Sequence, residues 1–140
     1  MKKICILIPI YNDWQSVFKL LENINSIILN LDHEFSVIII NDASTESKPQ
    51  NFPHLENLKF IQVINMKINT GHARCNAAGL KFIVETGSYD YVIPMDGDGE
   101  DRPEEIKNFI ELSEQDGENS IVGDRVKRSE GLIFKTCYQF

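Results

Sequence analysis

Apolar and polar positions alternate along this chain in blocks that predict strands and helices in turn. Ile4 to Ile10 is almost uninterrupted apolar sequence, the pattern of a strand covered on both faces, as in a parallel sheet. Such a strand belongs at the centre. Pro9 and the turn Tyr11-Asn12-Asp13 close it. Val17, Leu20, Leu21, Ile24, Ile27, Ile28 and Leu31 then recur at helical spacing. Phe35 to Ile40 is apolar and rich in β-branched residues, which predicts a second buried strand ending at Asn41-Asp42. Two strands joined through a helix in this way run parallel, with a right-handed crossover.

The polar stretch Ala43 to His54 reads as a surface loop, and Leu58 to Ile64 as a third strand. Asn69-Thr70-Gly71-His72 leads into a helix over Ala73 to Val84, whose Ala73, Ala77, Ala78 and Gly79 permit close packing, with Gly87 as its stop. Tyr91 to Met95 is a fourth strand. A helix opens at Pro103, where the first turn tolerates proline and Glu104 and Glu105 complement its dipole. Ile106, Phe109, Ile110 and Leu112 are its core-facing candidates, Ile121 to Gly123 is a short fifth strand, and Leu132 to Phe140 is patterned like another helix. The alternation predicts a three-layer α/β/α sandwich on a mostly parallel sheet, and the length of 140 residues fits one domain.

Composition changes the picture in two places. The net charge is −7, with acid concentrated from Asp96 to Glu118 and the tail around Arg125, Lys127, Arg128 and Lys135 locally basic. That balance argues against binding a nucleic-acid backbone and sets a cation site and an anion site in one molecule. Cys5, Cys75 and Cys137 have neither zinc spacing nor the look of a disulfide framework, and read as reduced thiols in a cytoplasmic setting. The apolar N-terminal run is far too short to span a bilayer.

The densest chemistry is Met95-Asp96-Gly97-Asp98-Gly99-Glu100-Asp101, set between a strand and a helix. Crowded carboxylates repel one another. A hard divalent cation relieves this and can in turn hold phosphates. An EF-hand is excluded, because Asp101 stands where that loop needs glycine and Lys107 where it needs a bidentate glutamate, and no Walker-type phosphate loop occurs. A lone Asp-x-Asp is more often a solvated turn; the flanking strand and helix raise its standing here. Asn41-Asp42 and Asp96 to Asp98 both fall at strand ends, and in a doubly wound sheet they converge on one crevice. For Asp42 two roles stay open, an Asx-turn closing its strand or a hydrogen bond to a nucleobase or ribose. Tyr11 stacks on a base or packs at the sheet edge. His72 is a polar residue in the first turn of its helix. Arg125 and Arg128 are solvated or hold a phosphate through planar guanidinium groups.

These pieces together resemble the family 2 inverting glycosyltransferases of the GT-A fold. Ile8-Pro9-Ile10-Tyr11-Asn12-Asp13 is similar to that family's Val-Pro-x-Tyr-Asn-Glu, and Ile40-Asn41-Asp42-Ala43-Ser44-Thr45-Glu46 to its Val-Asp-Asp-Gly-Ser-x-Asp. Asn69 to Leu80, Met95 to Glu104 and Gly123 to Arg128 resemble, within the family, the polyprenyl-phosphate sugar transferases such as dolichol-phosphate mannose synthases. The resemblance implies that Pro9, Tyr11, Asp13 and Asp42 line a nucleotide pocket. It implies that Asp96, Asp98 and Glu100 hold Mg²⁺ or Mn²⁺ against the diphosphate of a UDP- or GDP-sugar, with Asp96, Asp98 and Arg125 catalytic. Arg125 and Arg128 would hold the phosphate of a polyprenyl acceptor. Asn41, Gly99, Glu100 and Asp124 depart from the family's usual residues. Members usually continue past this length with the rest of the acceptor side, often with membrane-associated helices, so the chain is expected to lack that portion and to work at the cytoplasmic face of a membrane. Two further readings stand beside this one: a soluble family 2 transferase acting on a glycan or protein hydroxyl, and a catalytically silent nucleotide-binding module. A sugar-phosphate nucleotidyltransferase would carry Gly-x-Gly-Thr-Arg after its first strand, which Pro9-Ile10-Tyr11-Asn12 does not match.

Overall fold

A computed structural model describes residues 1–117 and 120–123. They fall in two compact units, Met1–Ile106 and a second that begins at Lys107. Arg125, Arg128 and the helix expected from Leu132 lie outside the described residues.

The first unit holds a four-stranded parallel sheet of β1 (Lys3–Ile10), β2 (Glu34–Asn41), β3 (Leu58–Asn65) and β4 (Tyr91–Pro94), in the order β3-β2-β1-β4. Ile4 to Ile10 is buried throughout, as the unbroken apolar run requires. From β1 the chain winds outward through α1 (Trp14–Ile28) to β2 and on to β3. It then returns through α2 (His72–Thr86) to β4 on the far side of β1. Because the winding direction reverses, right-handed crossovers place α1 and α2 on opposite faces of the sheet, which gives the three-layer α/β arrangement.

Side chains alternate across a strand, so one face of β1 and β2 presents Cys5, Leu7, Ile38 and Ile40, which cluster with Cys75 and Ile83 of α2. The opposite face takes α1, buried along Trp14, Val17, Leu20, Leu21, Ile24 and Ile28. The connection 42–57 has no helix and lies along α1: Phe52 meets Phe18 edge-on with centroids 4.7 Å apart, and Asn57 N–H donates to Asn25 Oδ1 at 2.9 Å. Gly87, at φ 62°, ends α2 by donating its N–H to Ile83 O.

Four expectations change. Ile121 to Gly123 forms no strand; three residues are too few to register along a neighbour, and Val122 is 86% exposed. Pro103 opens a 3₁₀ turn, Pro103–Glu105, before α3 (Ile106–Asp116). On α3, Ile106 and Ile110 are buried but Leu112 is 48% exposed, since a residue six positions after Ile106 has rotated off its stripe. Of the small residues in α2, Ala73 and Ala77 are exposed and Gly79 alone is buried.

A Cβ at Gly79 would overlap the Leu7 methyls and lie 3.1 Å from Ile40 Cγ1. Gly79→Val is therefore expected to lower stability by about 2–3 kcal/mol, overpacking plus poor helix propensity, read as a lower urea midpoint at unchanged m-value.

Candidate functional site

The switch in winding direction lies between β1 and β4, and there the carboxyl ends of the strands leave a crevice. A cleft of ≈ 220 Å³ occupies it, lined by Pro9, Ile10, Tyr11 and Asp13 from the end of β1, Asp42 from β2, His72 and Cys75 from α2, and Asp96, Gly97 and Asp98 after β4. The two acidic strand ends thus share one cleft. Glu100 is not among its lining residues, and Arg125 and Arg128 lie outside the described residues.

Each wall has a local cause. After β1, Asn12 takes a left-handed conformation, φ 61°, which asparagine tolerates. Its side chain donates to Thr45 Oγ1 and accepts the N–H of Glu46, while its own N–H donates to Ser44 Oγ. The loops after β1 and β2 are thereby stitched together. Tyr11, 45% exposed, lines the cleft. Asp13 precedes α1 without capping it by its side chain, so its carboxylate remains available to the cleft.

Asp42 is only 4% exposed, and a buried charge is tolerated only when hydrogen-bonded. Thr70 N–H donates to Oδ1 at 2.7 Å, Gly71 N–H to Oδ2 at 2.9 Å, and the Thr70 hydroxyl to Oδ1 at 3.2 Å. Burial pushes the Asp42 carboxyl up, but the Thr70 N–H, the Cys75 thiol, the Gly71 N–H and the Thr70 hydroxyl outweigh it and hold the group below the ordinary aspartate value. The side chain clasps the loop before α2 rather than closing a turn on its own strand. Burial pushes the Cys5 thiol up to about 12 and raises that of Cys75, which favours the protonated form of both. Both are free thiols, and Cys137 lies outside the described residues.

Asn41, where the resembled motif carries aspartate, donates through Nδ2 to Asn65 Oδ1 at 2.9 Å and accepts from Ser44 through Oδ1. A carboxylate could not make the first of these bonds. Ala43, where the motif has glycine, sits at φ 56°, a conformation that costs an L-residue about 1–2 kcal/mol.

The acidic turn spends part of its charge on itself. Asp96 N–H donates to Asp101 Oδ2 at 2.7 Å and Glu100 N–H to Asp98 Oδ1 at 2.9 Å, with Gly99 at φ 86°. Gly97 brings the turn against β1, where a Cβ would meet Ile10 Cγ2 at 3.0 Å. His72 was missed from the sequence as a partner of this turn: its Nε2 lies 3.1 Å from Asp96 Oδ1. Its place right after Gly71, at a helix start facing the switch point, was the available signal. Among the described residues no three His, Cys, Asp or Glu side chains gather as a ready metal cage. Asp96 and Asp98, both in the cleft, fit a hard cation that takes one or two carboxylates and completes its shell from phosphate oxygens and water, as Mg²⁺ does.

Comparison with known proteins adds three findings. The family model described as "Glycosyl transferase family 2" matches residues 5–136. The chain is 26% identical over 135 residues to the undecaprenyl-phosphate 4-deoxy-4-formamido-L-arabinose transferase of Proteus mirabilis, covering 96% of this chain and 40% of that protein. It is 25% identical to the dodecaprenyl-phosphate galacturonate synthase of Rhizobium johnstonii, covering 95% and 39%. The chain therefore spans about 40% of the length of these curated relatives. Among solved structures, Staphylococcus aureus TarS 1–349 superposes with a TM-score of 0.61 at 20% identity, covering 91% of this chain and 39% of that one, which supports the fold.

Two measurements test the site's local physics. Because the folded value of Asp42 is depressed, its stabilising effect is complete above the unfolded value near 3.8 and is lost as pH falls through the lower folded value. Urea midpoints taken from pH 6 down to about 2.5 should fall steeply in the parent chain and less in Asp42→Asn, which should itself be about 2–3 kcal/mol less stable at neutral pH. Ala43→Gly should raise stability by about 0.5–1 kcal/mol, the relieved left-handed strain less the extra chain entropy of glycine, read as a higher melting temperature.

Proposed function

The chain belongs to glycosyl transferase family 2, and from that premise we propose that it is the donor-binding part of an inverting transferase. The enzyme moves a sugar from a UDP- or GDP-sugar to a polyprenyl phosphate at the cytoplasmic face of a membrane. The observation that carries this reading is the single cleft at the β1/β4 switch point that holds Pro9, Tyr11, Asp13, Asp42, Asp96 and Asp98 together. The Proteus and Rhizobium relatives, an undecaprenyl-phosphate sugar transferase and a dodecaprenyl-phosphate galacturonate synthase, support the acceptor class. No helix among the described residues is long and apolar enough to cross a membrane.

In this reading Tyr11 stacks on the base, and Pro9 and Asp13 shape the nucleoside end of the cleft. Asp42 keeps the wall of the pocket in place. Asp96 and Asp98 lie at the diphosphate end. Four carboxylates line the cleft, so a donor diphosphate entering it alone meets like charge. Mg²⁺ or Mn²⁺, bound by Asp96 and Asp98, would supply the neutralising charge for the departing nucleoside diphosphate. The acceptor is a phosphate monoester, already anionic near neutral pH. Its oxygen forms the new bond to the anomeric carbon from the face opposite the diphosphate while the carbon–diphosphate bond breaks, so configuration inverts without a strong general base. The protein's contribution is positioning and charge placement, with Arg125 and Arg128 on the acceptor phosphate. A glycan or protein hydroxyl as acceptor would need a base to take its proton.

Titration calorimetry of the chain with UDP, GDP and their sugar conjugates, with and without Mn²⁺, tests the donor half. Binding is expected to be metal-dependent and to fall by at least about tenfold in Asp98→Ala. Absence of binding by the folded chain to every nucleotide, with or without metal, overturns the reading.

A further inference from the structure

The pairing of His72 with Asp96 joins two strand ends that are not neighbours in the sheet. β2 and β4 flank β1 on opposite sides, so no ladder hydrogen bond connects the loops that follow them. Asp42, at the end of β2, holds the N–H groups of Thr70 and Gly71. Gly71, at φ 87°, turns the chain into α2. His72 is the first residue of that helix, and its Nε2 reaches Asp96 after β4. The buried carboxylate of Asp42 thereby sets the backbone from which the imidazole reaches over the end of β1.

The hydrogen-bond logic gives the imidazole a direction. Nε2 stands 3.1 Å from both Asp96 Oδ1 and the amide nitrogen of Asn76, one turn along the helix. One ring nitrogen cannot give a proton to the carboxylate and accept one from an amide N–H. A lone pair turned on a carboxylate oxygen at that separation is repulsive, so Nε2 carries the proton and donates to Asp96. The Asn76 Oδ1 is buried with no partner among the described residues. The opposite amide orientation brings that oxygen onto the same N–H.

We propose that His72 is a positioning residue for the diphosphate end of the cleft: its Nε2–H holds the Asp96 carboxylate facing the donor and so keeps the acidic turn ready for it. The proposal rests on the reading of the cleft as the donor site. At 59% exposed, the His72 side chain is not a folding determinant, so its replacement leaves the chain folded.

The test has two parts. In calorimetry with UDP and GDP in the presence of Mn²⁺, His72→Leu is expected to bind about tenfold more weakly than the parent. His72→Gln, which keeps a side-chain N–H at comparable reach, is expected to recover most of the loss. Melting temperatures of the unliganded variants should match the parent. Leu binding like the parent, or Gln failing as Leu does, overturns the proposal. The second part needs no ligand: ¹⁵N NMR of the unliganded chain should find the His72 proton on Nε2, with a signal that shifts in Asp96→Ala. A proton on Nδ1 alone, or no response to Asp96→Ala, overturns the proposal whatever the nucleotide result. Loss of nucleotide binding in the parent itself, with this NMR pairing intact, would instead sink the donor reading.

Discussion

The structure depends on one strand having nowhere to meet water. From Ile4 to Ile10, β1 carries no charged residue and is buried at every position, and both of its edges are taken by parallel neighbours, β2 and β4. Parallel strands cannot be joined by tight hairpins; each needs a crossover long enough to return to the same end. With β1 in the middle, the first crossover goes one way and the last comes back the other. That reversal puts helices on both faces and opens a crevice beside the carboxyl end of β1. The location of the cleft follows from burying β1.

The rims of such a crevice are loops, and loops are held only by what their side chains do. Asn12 ties the loop after β1 to the loop after β2 through three hydrogen bonds in which it takes part. Asp42 ties β2 to the start of α2 with charge-assisted bonds, each worth about 1.5–3 kcal/mol net of desolvation. Together they outweigh the cost of burying the ion, and they fix a geometry as well. The geometric gain is that the Thr70–Gly71 backbone is held by both carboxylate oxygens. Such a clasp is spent on architecture, and the cleft-facing chemistry falls to Tyr11, Asp13, Asp96 and Asp98.

Features governed by a local or periodic rule could be read in the sequence, and those governed by three-dimensional neighbours could not. The four strands, the stripe of α1 from Val17 to Ile28 and the Gly87 stop each follow from spacing or backbone permissiveness and are present, although Ile27 is only half-buried and Leu31 falls beyond the end of α1. Ile121 to Gly123 had the composition of a strand without a way to show whether a partner edge was in reach. Ala73 and Ala77 share the small size of Gly79, but only the face turned to Leu7 and Ile40 makes size matter. Asp42 looked like a turn-former because Asx-turns are local, whereas its partners are 28 and 29 positions away. For His72 the sequence offered only its place after Gly71 at a helix start, as Asp96 comes to it only through the crossover of α2.

The departures from the resembled motifs make sense as local exchanges. Asn41 gives up a charge and gains a donor, which Asn65 on the adjacent strand accepts. With Asp42, Asp96 and Asp98 already lining the cleft, an aspartate at position 41 would add another negative charge close to it and leave the Asn65 oxygen without that donor. Ala43 runs the other way, accepting left-handed strain with no hydrogen bond from its side chain in return. That strain is affordable because the loop is held on both sides: Ala43 N–H donates to Asn41 O at 2.9 Å, and Ser44 is bound by both Asn12 and Asn41. A loop fixed by its neighbours tolerates one poor residue, and the chain departs from the motif at two of three successive positions while Asp42, which fixes the start of α2, is kept.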